Sequence, residues 1–495
     1  MTALNTRQRW LSFSVLCLAS LMIVLDATIV NVALPSIRSS LAFSQTNLAW
    51  VVNAYLLTFG GLLLLGGRLG DLFGARRLFL IGVALFTLAS ATCGLANSQL
   101  MLVAARAVQG AGGAVASAVS LALMMHLFTE PVERAKAMGI FGFVAAGGGS
   151  LGVLLGGMLT GLLNWHWIFL VNVPIGAAVC LLSIRFVPAT PGIRHHRIDI
   201  AGAVTVTGSL MAAVYAIVNG NHTGWTSTQT VALLAMAAIL LAVFVAIELR
   251  TPTPLVPLAL LRIRNLATAN ALGILWAAAM FAWFFLAALY LQLVLGYSPL
   301  QVGLAFLPAN LIMAVFSIGL SAKLVLRFGI KTPIAVGLSL VAVGLALFAR
   351  APVGGHFLTS VLPSMLLLGV GAGMALNPVM LAAMSDVAPE HAGVASGLVN
   401  TSMQMGGALG LAILASIAAS QTSNLAAAGN NHLTALTGGY HAAFLAGAIF
   451  AALAAGLATT LIRHNDAMAP GATSPEPLAA VLGTVREAPL ARDTV

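Results

Sequence analysis

The sequence predicts an all-α polytopic membrane protein, and three observations carry that prediction. Apolar residues make up 60% of the 495 positions and charged residues only 7%, whereas a soluble domain carries about 25% charged residues. The apolar residues lie in long unbroken runs, not in the alternating pattern of a β-barrel. The basic residues lie between those runs, mostly on one side of them. Such a chain cannot cover a water-facing surface. Soluble enzyme, nucleic-acid binder and disordered protein are therefore excluded as descriptions of the whole.

A membrane helix needs roughly 20 apolar residues. Fourteen runs meet this need, at about 11–34, 47–66, 78–96, 100–128, 135–161, 167–187, 200–219, 229–249, 266–295, 301–322, 332–349, 358–384, 393–419 and 440–462. The first run is too long for a cleavable leader and no small-residue cleavage site follows it. Span 1 holds Asp26 and ends at Pro35, and span 2 leads into a Gly- and Arg-rich loop. Span 4 holds Arg106, and glycines crowd spans 4 and 5. Cys17, Cys93 and Cys180 all fall inside runs, which points to neither disulfides nor a metal site. The tail from 465, with Pro470, Pro475, Pro477 and Pro489, reads as disordered.

An even number of spans places both termini on one side. Of the 22 basic residues, 19 fall there: Arg7, Arg9, Arg68, Arg76, Arg77, Arg134, Lys136, Arg185, Arg194, Arg197, Arg250, Arg262, Arg264, Lys323, Arg327, Lys331, Arg463, Arg486 and Arg492. Only Arg38 and Arg350 fall on the other side. Lys and Arg concentrate on the cytoplasmic side of a membrane protein, so both termini are expected in the cytoplasm. The formal net charge of +10 is then a signature of topology and not of nucleic-acid binding.

The chain repeats itself. A shift of 258 residues matches Pro131, Ala137, Gly139, Gly148, Gly149, Leu151 and Gly152 with Pro389, Ala395, Gly397, Gly406, Gly407, Leu409 and Gly410. A shift of 255 matches Phe73-Gly74-Ala75-Arg76 with Phe328-Gly329-Ile330-Lys331. Span number rises by eight. The expected organisation is a six-helix half over 1–190 (spans 1–6), two inserted spans over 191–255 and a second six-helix half over 256–464. Parallel halves about a midplane cavity describe a secondary transporter.

Only two ionisable residues lie well inside spans, Asp26 and Arg106. A charge there costs at least ~2.5 kcal/mol and marks a functional candidate. Counted from Pro35 and from the start of span 4, both sit roughly 10–14 Å below the outer surface. They form either a static ion pair or a proton switch. In the second case one carboxylate holds a proton or a cationic substrate but not both, because each changes the cost of its charge.

The loop Gly67-Arg68-Leu69-Gly70-Asp71-Leu72-Phe73-Gly74-Ala75-Arg76-Arg77 supplies a tight turn and charges that one conformation can pair and another release. Gly67, Asp71, Gly74, Arg76 and Arg77 are its candidate switch residues. Gly148, Gly152, Gly156 and Gly157 form a small-residue stripe where helices can approach closely. Gly148-Gly149-Ser150-Leu151-Gly152 has the spacing of a serine nucleophile elbow but lacks the strand which that motif needs. Gln109, Asn310, Asn377 and Gln404 are candidates for a substrate pathway by polarity alone.

Together these stretches resemble the major facilitator superfamily, and within it the fourteen-span drug:proton antiporter family, over about residues 10–465. The loop Gly67–Arg77 is similar to the superfamily's cytoplasmic signature. Leu25-Asp26-Ala27-Thr28-Ile29-Val30-Asn31-Val32-Ala33-Leu34-Pro35 resembles the family's span 1 signature, and Arg106-Ala107-Val108-Gln109-Gly110 its span 4 motif. Trp165–Gly176 and Gly296–Gly303 look like the same family. One departure is Val153, where the family's span 5 motif usually has proline. In the second repeat, Leu326 stands where Asp71 would be.

The resemblance implies a non-enzymatic, monomeric multidrug efflux antiporter of the major facilitator fold in the cytoplasmic membrane. It would need no cofactor beyond the proton gradient, and no metal. Its partners would be protons, the lipid bilayer and small amphipathic, often cationic substrates, either drugs or an endogenous secondary metabolite; nucleic acid is not among them. Asp26 would exchange a proton for substrate and Arg106 would tune it. The alternatives are a proton-coupled importer or facilitator of the same fold, or a membrane-embedded enzyme, for which no nucleophile or ligand cluster is found.

Overall fold

The computed structural model describes residues 5–462 apart from 45, 129, 190–198, 252–253, 257, 317–319 and 388–391. Arg194, Arg197 and the predicted disordered tail lie outside the described residues. The described chain is helical throughout: α1 (Thr6–Leu41), α2 (Trp50–Phe73), α3 (Ala75–Gly94), α4 (Gln99–Leu127), α5 (Pro131–Leu162), α6 (Trp167–Leu170), α7 (Asn172–Phe186), α8 (Ile200–Thr223) and α9 (Thr228–Arg250). There follow α10 (Arg264–Leu293), α11 (Pro299–Val315), α12 (Ser321–Phe328), α13 (Lys331–Phe348), α14 (Leu362–Met384), α15 (Ala392–Ala427) and α16 (His432–Leu461).

Each predicted apolar run falls on a helix, span 6 being divided between α6 and α7 and span 10 between α11 and α12. Among the described residues, twelve helices are long and apolar enough to cross a membrane, while Gly147–Leu162 and Pro299–Val315 are shorter apolar stretches. Polar residues at the starts stop the helices from fraying. Asn5 and Ser298 form capping boxes with Gln8 and Gln301, and Ser98, Ser227 and Asn431 accept from the backbone N–H three residues on. Two expectations need correction. Pro35 does not end span 1, because α1 continues through it to Leu41, so Asp26 lies deeper than a count from Pro35 gives. The Gly67–Arg77 stretch is largely helix, and only Gly74, at φ +90°, breaks it.

The helix pairs in contact repeat with an offset of eight spans. In the first half α1 packs on α5 and α7, α4 on α2 and α3, and α3 on α7. In the second half α10 packs on α15 and α16, α14 on α11 and α13, and α13 on α16. Between the halves the two main seams are α5 with α11 and α2 with α15, which the same offset exchanges. The linker glycines agree: Gly329, the partner of Gly74, also has positive φ, +74°.

The inserted helices are not equivalent. Helix α8 packs against both α2 and α15 and so covers one seam, while α9 packs on α8. Only 17% of the apolar stretch of α9 is buried inside the protein. Of the inserted pair, α9 therefore lies at the edge of the bundle, while α8 sits against a seam between the halves.

Candidate proton-coupling site

Small residues let the helices around Asp26 close on one another. A Cβ on Gly110 would strike the Tyr55 carbonyl, so this glycine brings α4 against α2. On α5, Gly148 faces Leu21 and Val24, and a Cβ added to Gly152 or Gly156 would stand 2.9 Å from the Leu25 carbonyl or 2.6 Å from the Ile29 carbonyl. The stripe thus grips α1 on both sides of Asp26. Gly157 faces the other half, where an added Cβ would stand 2.5 Å from the Pro299 carbonyl. Val153 is buried, and its carbonyl lies 3.0 Å from where a Cβ on Gly303 would stand. Helix α5 runs on through Val153 without a break.

Inside this packing Asp26 and Arg106 meet, each 0% exposed. Arg106 Nη1 donates to Asp26 Oδ2 at 2.5 Å and to Gln109 Oε1 at 2.8 Å, and its Nε donates to the Val51 carbonyl at 2.9 Å. Asp26 Oδ1 accepts from Gln109 Nε2 at 2.7 Å and from Asn172 Nδ2 at 2.9 Å. Asn172 is held in turn by Ser90, whose hydroxyl donates to the Phe169 carbonyl. The guanidinium lies 4.3 Å from the centroid of the Tyr55 ring, a cation–π contact strengthened by desolvation.

Both carboxylate oxygens are occupied, so the ionised form of Asp26 is well satisfied. The compensation is incomplete at two atoms: Arg106 Nη2 and the Tyr55 hydroxyl are buried with no hydrogen-bond partner. A buried donor without a partner costs about 1–3 kcal/mol. Protonating Asp26 would remove its attraction for Arg106 and leave that cation to its aromatic and carbonyl neighbours.

Gln109, placed by sequence on a substrate pathway, is a member of this cluster. Sequence reasoning quoted Asn172 without assigning it a role, and it gave no signal for Tyr55, Ser90 or Val51. Only the Asn172-Val173-Pro174 start of α7 could have directed attention there. Asn310, Asn377 and Gln404 stand on α11, α14 and α15, which contribute nothing to the cluster among the described residues. Asn310 is buried with its Nδ2 unpartnered, and Gln404 faces Gly60 of α2 across the seam. In the switch stretch, Arg76 donates to the Ile184 carbonyl at the end of α7, at 2.5 Å, and Arg77 is exposed. The side chain of Asp71 lies outside the description.

The second half lacks the charges. Gly406 and Gly410 face Ile274 and Ala278 of α10 as Gly148 and Gly152 face Leu21 and Leu25 of α1. This match carries Asp26 onto Ala279. Likewise Gly369 faces Ala309 as Gly110 faces Tyr55, which carries Arg106 onto Met365 and Gln109 onto Leu368. One half holds the charged cluster; the other repeats its packing with apolar side chains.

The family description Major Facilitator Superfamily matches residues 16–411. The chain belongs to the major facilitator superfamily. Among related members is a puromycin resistance protein of Streptomyces alboniger, 40% identical over 84% of this chain and 83% of its own length. A cephamycin export protein of Amycolatopsis lactamdurans is 39% identical over 82% and 84%. A lincomycin resistance protein of Streptomyces lincolnensis is 37% identical over 84% and 85%. The fold is shared with solved transporter structures. A human organic anion transporter, MFSD10, superposes with a TM-score of 0.59 at 16% identity over 91% of this chain and 99% of its own. The nucleoside transporter NupG gives 0.62 at 13% over 92% and 100%. This superfamily member is accordingly a multi-pass membrane protein.

Proposed function

We propose that this superfamily member exports small amphipathic, often cationic molecules, drugs or a secondary metabolite, in exchange for protons. In this reading it crosses the cytoplasmic membrane fourteen times, with both termini inside, and works as a monomer without a cofactor. Relatives named for puromycin, cephamycin and lincomycin support the class of cargo. The observation that carries the coupling is the sealed Asp26–Arg106 pair, a carboxylate which neither water nor substrate reaches without movement of the helices around it.

Helix α5 links that pair to the seam between halves. Its stripe touches α1 around Asp26 and, through Gly157 and the Val153 carbonyl, the start of α11. Gln292 of α10 adds a hydrogen bond to the Val32 carbonyl of α1 at 2.8 Å. Protonation of Asp26 releases Arg106, loosens α1 from α5 and shifts this seam, so that the halves rock between two openings. Arg76 and its neighbours hold α3 to α7 while they do so.

The test uses purified protein in liposomes containing a pH dye, with ethidium added, and compares wild type with Asp26→Asn. Ethidium-evoked proton release that disappears in the variant supports exchange at Asp26. Equal signals from both remove Asp26 from the mechanism. A proton-coupled importer is the second reading, favoured by the unbroken α5 at Val153. Uptake instead of release by oriented vesicles would establish it.

A further inference from the structure

A second pair of buried acids lies outside the Asp26 cluster, at the end of the α8–α9 hairpin nearest the switch stretch. Asp199 caps α8 and accepts from the Gly202 N–H through Oδ1 at 2.7 Å. Glu248, in the last turn of α9, accepts from the Val256 N–H through Oε2 at 3.1 Å. Asp199 is 6% exposed and Glu248 4%. Their remaining oxygens, Asp199 Oδ2 and Glu248 Oε1, are both buried and have no hydrogen-bond partner. These two atoms lie 2.5 and 3.0 Å from one point, the place a Cβ on Gly202 would occupy. The absent side chain leaves both oxygens bordering one space.

No cation answers them among the described residues. Next to Gly202 and Val256, the side chains of Leu65, Ala203 and Leu255 form an apolar cluster, with Leu62, Leu64 and Leu69 of α2 against it. Arg68 on α2 and Arg250 on α9 form no ion pair with either acid, and Arg250 is exposed. Two carboxylates buried side by side cannot both stay ionised.

We infer that Asp199 and Glu248 bind one proton between them, as a carboxylic acid hydrogen-bonded to a carboxylate. The helix termini decide which holds it. A negative charge is favoured at the N-terminus of α8, where Asp199 sits, and disfavoured at the C-terminus of α9, where Glu248 sits. Glu248 Oε1 therefore carries the proton and donates it to Asp199 Oδ2. The pair keeps a single negative charge and closes the hairpin against α2. Removal of the proton places a second charge there and pushes α8 from α9.

Infrared difference spectroscopy of the full-length protein in lipid nanodiscs tests this, comparing wild type with Glu248→Gln and Asp199→Asn. The expected result is one protonated-carboxyl stretch that persists above about pH 6, where an ordinary glutamate is ionised. It should vanish in E248Q and change frequency in D199N, whose side chain is a different acceptor. Identical spectra from wild type and E248Q overturn the proposal. So does a stretch that sodium or calcium ions remove at constant pH, because the pair then holds a cation. Should E248Q fail to fold, Gly202→Ala retains both acids but sets a methyl group between them. Loss of the stretch in G202A supports the shared proton, and its persistence overturns it.

Discussion

Asn172 donates to Asp26 at 2.9 Å, joining the first residue of α7 to the middle of α1 within a space that admits no solvent. It also leans on Ser90 of α3, so a single amide fixes three helices around one carboxylate. Truncating Asn172 to alanine removes that hydrogen bond and opens a small hole. The expected cost is about 1–3 kcal/mol, read as a lower thermal midpoint in detergent, with slower ethidium-driven proton exchange.

Among the described residues, Arg106 is the only cation on Asp26. Arg106→Ala leaves a buried carboxylate with two amides and no countercharge, which costs about 3–5 kcal/mol. Arg106→Lys keeps the charge but lacks the fork that reaches Val51 and Asp26 together. A ladder of thermal midpoints, wild type above Lys above Ala, is expected. Equal midpoints for all three would show that the pair carries no stabilising weight.

The glycine stripe provides a matched comparison. A methyl group at Gly156 would stand 2.6 Å from the Ile29 carbonyl, whereas one at Gly147 meets nothing within 4 Å. Gly156→Ala should therefore destabilise by about 1–3 kcal/mol through overpacking and depress exchange, because α1 carries Asp26. Gly147→Ala should match wild type in both measurements.

Gln292 bridges the halves through the Val32 carbonyl. Its loss in Gln292→Ala removes a bond worth about 0.5–1.5 kcal/mol from this conformation, a shift of about two- to tenfold between conformations. Spin labels on the outer ends of α1 and α10 would report it as a gain in the longer distance, with the thermal midpoint little changed.

Much of this molecule is determined position by position, and the sequence by itself carries that part. Hydropathy is a property of each residue's own side chain, so the apolar runs mark the helices. The repeated glycines mark the internal repeat, and two isolated charges mark Asp26 and Arg106. Tertiary structure alone decided the rest. Asn172, Tyr55 and Gln109 acquire their roles only because α2, α4 and α7 pack around α1, and no local pattern states which polar residue a distant helix will face. The continuation of α1 past Pro35 and of α2 through Gly70 depended on neighbouring helices that bury those turns. Asp199 and Glu248 stand at helix ends, where position along the chain alone would leave an acid to water. The fold of α8 and α9 over Gly202 removed their water, and burial, which no single residue possesses, changed what their charges cost.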